Sequence, residues 1–232
     1  MVYVMSDIHG EYEKYLAMLQ RIDFKDTDTL YVLGDVIDRG AQPVAILKDM
    51  MSRANVYPII GNHEFMAIDI LEDLLVEITD NNCESHITAD TINKLMEWQR
   101  NGGNITLDQI KSLSLDEREA VLDYLKEFAT LEIVTIGRKT FVLVHAGLAS
   151  YDPKRNIYDY TPEEVIFVRP NYDRRVFKNK NTYVVSGHTP TFFLLGKNEI
   201  YHNNNNICID CGATFGGKLA CLRLDDMAEF YV

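Results

Sequence analysis

Leu30-Tyr31-Val32-Leu33-Gly34-Asp35-Val36-Ile37-Asp38-Arg39-Gly40 is a short apolar run that ends in a turn with two carboxylates, a guanidinium and two glycines. An apolar run of this length bounded by glycine reads as a buried strand. Charged groups just beyond its carboxyl end read as site residues, because open α/β sheets bind ligands there. The pattern recurs four times. Val2–Met5 leads into Ser6-Asp7-Ile8-His9-Gly10, and Val56–Ile60 into Gly61-Asn62-His63-Glu64. Phe141–Val144 leads into His145-Ala146-Gly147, and Tyr183–Ser186 into Gly187-His188-Thr189-Pro190. Any one of these is an ordinary turn. Together they place four of the chain's six histidines at strand ends, which ordinary turns do not do.

The segments between the runs complete the fold class. Glu11–Ile22 carries Tyr12, Leu16 and Leu19 at helical spacing, and Pro43–Arg53 has proline in its first turn. With strands at Val2–Met5, Thr29–Leu33 and Val56–Ile60, the order β-α-β-α-β predicts parallel strands with right-handed crossovers. Residues 65–130 read as a helical insertion. Ile68, Leu71, Leu75 and Ile78 share one stripe there, and Ser114-Leu115-Asp116-Glu117 is a capping box. Leu131–Ile136 and Phe141–Val144 read as a hairpin. Further strands are expected at Ile207–Asp210, Leu219–Leu224 and Glu229–Val232, with Asn203–Asn206 as a turn. The chain of 232 residues is expected to form one α/β domain over 1–232.

Composition narrows the function classes. Hydrophobic residues make up 47% and charged residues 25%, which argues against disorder. No apolar run approaches the ~20 residues of a membrane span, and Val2–Met5 is too short for a signal peptide. A cytoplasmic location without membrane contact is therefore expected. The net charge of −12 argues against non-specific nucleic-acid binding, which needs Lys and Arg on phosphates. The charge is uneven, however. Residues 64–80 hold six acids and no base, whereas residues 169–180 hold five bases and one acid. The basic run is a candidate guide for an anionic substrate.

The strand-end donors are imidazole, carboxylate and carboxamide, without thiolate. That set suits first-row divalent ions such as Mn, Fe, Zn, Co or Ni. It exceeds what one tetrahedral zinc takes, so two adjacent ions are the natural solution, and such pairs serve in-line displacement at phosphorus. The five motifs, together with Ile209-Asp210-Cys211-Gly212-Ala213, resemble the calcineurin-like metallophosphoesterase superfamily. Within it they are most similar to the compact bacterial and phage type of serine/threonine phosphoprotein phosphatase.

The resemblance implies a sandwich of two mixed sheets flanked by helices. It implies that Asp7 and His9 hold a first metal, that Asp35 bridges to a second, and that Asn62, His145 and His188 complete the second site, with manganese the expected ion. It further implies a hydroxide shared by the two metals as nucleophile and His63 as general acid, oriented by Asp38. Arg39 would be a planar fork on the phosphate oxygens. Arg169 is a second phosphate candidate, since Phe167-Val168-Arg169 stands where relatives often have Trp-x-Arg.

The implied substrate is a phosphoester, foremost phosphoserine or phosphothreonine in proteins. The alternative is a dinucleoside polyphosphate. By resemblance, that branch tends to lack an aspartate at the Asp38 position and to carry Gly-Asn-His-Asp, whereas this chain has Asp38 and Glu64. Loss of ligands would mark a non-catalytic module, and every implied ligand is present. Three further residues read as structural. Cys208 and Cys211 lie in a strand-like run and read as core. Trp98 reads as an anchor of the insertion, although Trp98 with Asn101-Gly102-Gly103 also resembles a family feature near the substrate cleft.

Overall fold

The computed structural model describes residues 1–75 and 88–232. The expectations for Ile78 and for the end of the acidic run fall outside those residues, as does His86. The first half follows the predicted alternation: β1 (Val2–Met5), α1 (Tyr12–Arg21), β2 (Thr29–Val32), α2 (Pro43–Met51) and β3 (Val56–Pro58). β1 pairs parallel to β2, and β2 to β3. β3 stops at Pro58, short of the predicted Ile60, although Ile59 still donates to Val32 O at 2.8 Å and bridges to Ala129. Next come α3 (Asn62–Leu75), α4 (Ala89–Arg100), α5 (Asn104–Lys111) and α6 (Leu115–Lys126), the predicted helical insertion. The Ser114–Glu117 capping box is present.

The second half contributes β4 (Leu131–Ile136), β5 (Lys139–Val144), α7 (Pro162–Ile166), β6 (Thr182–Ser186) and α8 (Phe192–Leu195). It closes with β7 (Tyr201–Asn203), β8 (Asn206–Cys208), β9 (Ala220–Arg223) and β10 (Ala228–Tyr231). Two mixed sheets result, in the orders β10-β9-β1-β2-β3 and β4-β5-β6-β8-β7. The sequence reading passed over α7, α8 and β7. A capping box at Thr161 and Glu164 starts α7, while β7 is too short and polar to show alternation. Asn204 and Asn205 turn the β7–β8 hairpin with φ of 49° and 62°, a conformation asparagine tolerates.

Alternation along the strands sets the layers. Val4, Leu33, Phe141, Leu143, Val185, Ile207 and Leu222 share one cluster between the sheets. Their neighbours Tyr3, Met5, Val142, Val144 and Val184 face the other way, into the larger core with α1, α2 and the insertion. This period of two is the ordinary consequence of the pleat. Backbone bonds continue beyond the parallel strands, Asp7 N–H to Gly34 O at 3.1 Å and Gly187 N–H to His145 O at 2.7 Å, so the motif turns are tied together.

Candidate active site

The turns that carry the site are conformationally unusual. Asp7, His9, Asp35, Asp38, Arg39 and His188 all have φ between 45° and 71°. Non-glycine residues rarely enter this left-handed region, and they persist there only when their surroundings over-determine them. One such determinant is Glu64, fully buried at the start of α3. Its Oε2 accepts the N–H of Asp35 (2.8 Å) and Gly61 (3.0 Å), and its Oε1 those of Val36 (2.8 Å) and Ile37 (3.2 Å). Gly61 is required by close approach, since a Cβ there would lie 2.4 Å from Asp35 Oδ1.

The donor atoms converge as two groups. His9, Asp35 and His63 form one, and Asp35, His145 and His188 the other. Asp35 belongs to both: Oδ2 lies 3.4 Å from His9 Nε2, and Oδ1 lies 3.5 Å from His145 Nε2. Tautomers are fixed from behind. His9 Nδ1 donates to Ile37 O at 2.9 Å, and His145 Nδ1 donates to Leu33 O at 2.7 Å. Carbonyls only accept, so each Nε2 is left as a lone pair facing the cleft. Burial, followed by neighbouring cationic groups, holds both imidazoles well below their usual pKa and therefore neutral.

His145 Nε2 then faces Asn62 Oδ1 at 3.1 Å and Asp35 Oδ1 at 3.5 Å, acceptor against acceptors, with His188 Nδ1 at 3.3 Å. Such a cluster asks for a cation. Burial also pushes the Asp7 and Asp35 carboxyls well above their usual range, with Asp210 adding to the first and Asp7 to the second. Two buried carboxylates beside neutral imidazoles fit divalent metal ions.

Asp7 lies apart from both tight groups. Its carboxylate accepts the Ser6 hydroxyl and the His188 N–H, the latter at 3.1 and 3.0 Å. Asp38 is fully buried, and its Oδ2 accepts from His63 Nδ1 at 2.6 Å. The insertion completes its cage. The Trp98 indole N–H donates to Oδ2 at 2.8 Å, and the Thr106 hydroxyl donates to Oδ1 at 2.6 Å. Trp98 is therefore both the expected core anchor and a partner of a site carboxylate.

Arg39 extends over the imidazoles, with Nη1 2.7 Å from His9 Nε2 and Nη2 2.9 Å from His63 Nε2. Arg169 donates to the Thr189 hydroxyl at 2.9 Å. Both guanidiniums line one cleft of about 510 Å³, together with Asp7, His9, Asp35, Asn62 and His188. Arg174, Arg175, Lys178 and Lys180, the rest of the basic run, are exposed and do not line it.

Sequence reasoning assigned no role to Asp210, a buried carboxylate in the same cleft whose pKa burial raises to about 6. The signal was available, because Ile207–Cys208 ends in Asp-Cys-Gly as the other strands end in their motifs. It also missed Ser6, the backbone-binding role of Glu64, Thr106, Thr189 and three phenylalanines. Cys208 and Cys211 are buried free thiols, as core packing predicts.

The profile of the calcineurin-like phosphoesterases matches residues 1–192. The chain belongs to the calcineurin-like phosphoesterase family. The two donor groups of this phosphoesterase are ones that could hold divalent metal ions. A symmetrical bis(5'-nucleosyl)-tetraphosphatase from Salmonella paratyphi B is 28% identical to it over 113 residues, 48% of this chain and 40% of the relative. The phosphoesterase thus spans less than half the length of that curated relative.

Among solved structures, one assigned as a diadenosine tetraphosphatase superposes with a TM-score of 0.68 at 18% identity, covering 100% of this chain and 92% of the other. A protein serine/threonine phosphatase from Saccharomyces cerevisiae gives 0.55 at 13% identity, covering 100% and 78%. At these identities the likeness establishes the fold of the phosphoesterase, two mixed sheets flanked by helices. Among the described residues, no helix is long and apolar enough to cross a membrane.

Proposed function

We propose that this phosphoesterase cleaves nucleoside polyphosphates, with a dinucleoside tetraphosphate as the representative substrate. The observation that carries the reading is the lining of the cleft. It combines donor residues and the Arg39 and Arg169 guanidiniums with Pro190, Phe192, Phe193 and Phe215. Two guanidiniums beside two divalent cations suit a polyanionic chain, and apolar rings suit a base. The names of the relatives favour this over the phosphoprotein reading that Asp38 and Glu64 suggest in the sequence.

His9, Asp35, Asn62, His145 and His188 would hold the metals, with Asp7 alongside. Bound there, the ions would supply Lewis-acid stabilisation of charge developing on the phosphoryl oxygens. The chain's own residues do the rest. A bound phosphate draws the Arg39 guanidinium from the His9 and His63 nitrogens onto its oxygens, as a bidentate fork. Arg169 holds a neighbouring phosphate. His63, held at Nδ1–H by Asp38, presents Nε2 to the leaving oxygen, and in its imidazolium form would donate the Nε2 proton there.

The His63–Asp38 pair favours a second reading, hydrolysis of phosphoserine or phosphothreonine in proteins. A phosphate leaving group departs as a weak base and needs little protonation, whereas a seryl alkoxide needs a proton. Parallel measurement of kcat/KM with Mn²⁺ on diadenosine tetraphosphate and a phosphoserine peptide tests the order. A preference of tenfold or more for the dinucleotide is expected. A preference of that size for the peptide reverses the reading.

A further inference from the structure

Resting on the nucleoside-polyphosphate reading, we propose that Phe192, Phe193 and Phe215 form a stacking platform for the substrate's nucleobase. These rings are 54%, 78% and 66% exposed, yet all three line the cleft that holds Asp7, His9 and Asp35. Large apolar groups gathered on one surface mark a binding site rather than chance exposure.

Their mounts are tied to the site itself. Phe192 begins α8 four residues after His188. The residue before it, Thr191, is buried, and its N–H donates to Asp210 O at 2.8 Å. Phe215 ends a short turn, Ala213–Phe215, between Gly212 (φ 71°) and Gly216 (φ 78°), in which Ala213 is buried. The platform is thus held by the two strand-end turns that carry His188 and Asp210, and its position relative to the donors is fixed.

The ring chemistry selects the occupant. The Arg39 guanidinium lies 5.1 Å from the centroid of Phe215, so that face already receives a planar, delocalised group. The same guanidinium reaches His9 and His63, where the phosphate is cleaved. Phe192 and Phe193 meet edge to face at 6.1 Å and 75°, which leaves the more exposed Phe193 open. A flat π system joined by a short linker to a phosphate at Arg39 satisfies both features, and a nucleoside phosphate is such a molecule. Stacking of this kind is tolerant of base identity.

Calorimetric titration of the Mn²⁺-loaded protein with AMP and with ribose 5-phosphate tests the platform without turnover. AMP is expected to bind about tenfold or more tightly, the range that one base–aromatic stack supplies. In Phe193→Leu and Phe215→Leu the ratio is expected to fall to within about threefold, as only the base contact is lost. Equal binding of the two ligands by the wild type, or a ratio that survives both substitutions, overturns the proposal. So does a leucine-flanked phosphoserine peptide that loses more affinity than AMP in the variants. A base preference without cleavage of diadenosine tetraphosphate leaves the platform standing and removes the substrate reading. Cleavage with an undiminished ratio in the variants removes the platform alone.

Discussion

Replacing Glu64 by glutamine keeps the shape of the side chain and inverts half of its hydrogen bonding. Each carboxylate oxygen accepts two backbone N–H groups, Oε2 from Asp35 and Gly61 and Oε1 from Val36 and Ile37. In Glu64→Gln, whichever way the amide turns, its NH₂ confronts two backbone donors with no room for water. Hydrogen bonds to a charged group are worth ~1.5–3 kcal/mol each, so two lost bonds amount to ~3–6 kcal/mol. Burial raises the Glu64 pKa despite those bonds, so removing the charge returns part of this. A net loss of about 3 kcal/mol follows, and for a chain of this length that is ~6–12 °C in Tm.

Thermal unfolding of the chelated protein by circular dichroism measures it. The same variant is expected to bind Mn²⁺ about tenfold more weakly, since Asp35 sits on the loop that Glu64 holds. A Tm within ~2 °C of the wild type, equivalent to under about 1 kcal/mol, would refute the claim that Glu64 fixes the left-handed turn at Asp35.

Other outcomes follow from the same geometry. Asp38→Asn replaces the carboxylate behind His63 Nδ1–H by a neutral carboxamide, so kcat on a phosphoserine peptide is expected to fall ~10²-fold, but less than tenfold on diadenosine tetraphosphate. Equal losses on both substrates would contradict a leaving-group role. Trp98→Phe keeps the buried ring and deletes one donor to Asp38. A several-fold fall in kcat on the peptide, a shifted pH–rate profile and a near-unchanged KM are expected from steady-state kinetics across pH.

Burial and, after it, Arg169 lower the His188 pKa to about 4, against an ordinary value of 6.5. Between these values the unfolded imidazole takes up a proton that the folded one refuses. Acidification from pH ~6.5 to ~4 therefore removes about 3 kcal/mol from the chelated protein, at 1.36 kcal/mol per unit. His188→Asn should flatten that slope in urea titrations, and an unchanged slope counts against it.

The sequence and structure agree where chemistry and local geometry coincide. A strand that ends in Gly-Asp or Gly-Asn-His needs the glycine for its turn and exposes the donor by position, so the residues gathered into the two donor groups, His9, Asp35, His63, His145 and His188, carry a signal in the sequence. The parallel order of β1, β2 and β3 was legible because each helix between them carries one apolar stripe. What stayed hidden depends on partners remote in the chain. Trp98 and Thr106 reach Asp38 only because α4 and α5 fold back over β2. The sequence marks Glu64 as part of a motif, but not the four N–H groups that it gathers. Phe192 and Phe193 look like ordinary core residues until α8 turns them to the cleft. The basic run behaves as a solvated face apart from Arg169, because nothing in its sequence ties the other four side chains to the site.

The most direct test of the account is the number of divalent ions the cleft takes. Its two donor groups share Asp35, and the Nε2 lone pairs of His9 and His145 lie beside that carboxylate. Equilibrium dialysis of the chelated protein against Mn²⁺ at pH 7.5 should give two ions per chain, falling to one or none in Asp35→Asn, with phosphoester cleavage rising in step with the second ion. One ion or none in the wild type, or cleavage that persists after full chelation, would contradict it.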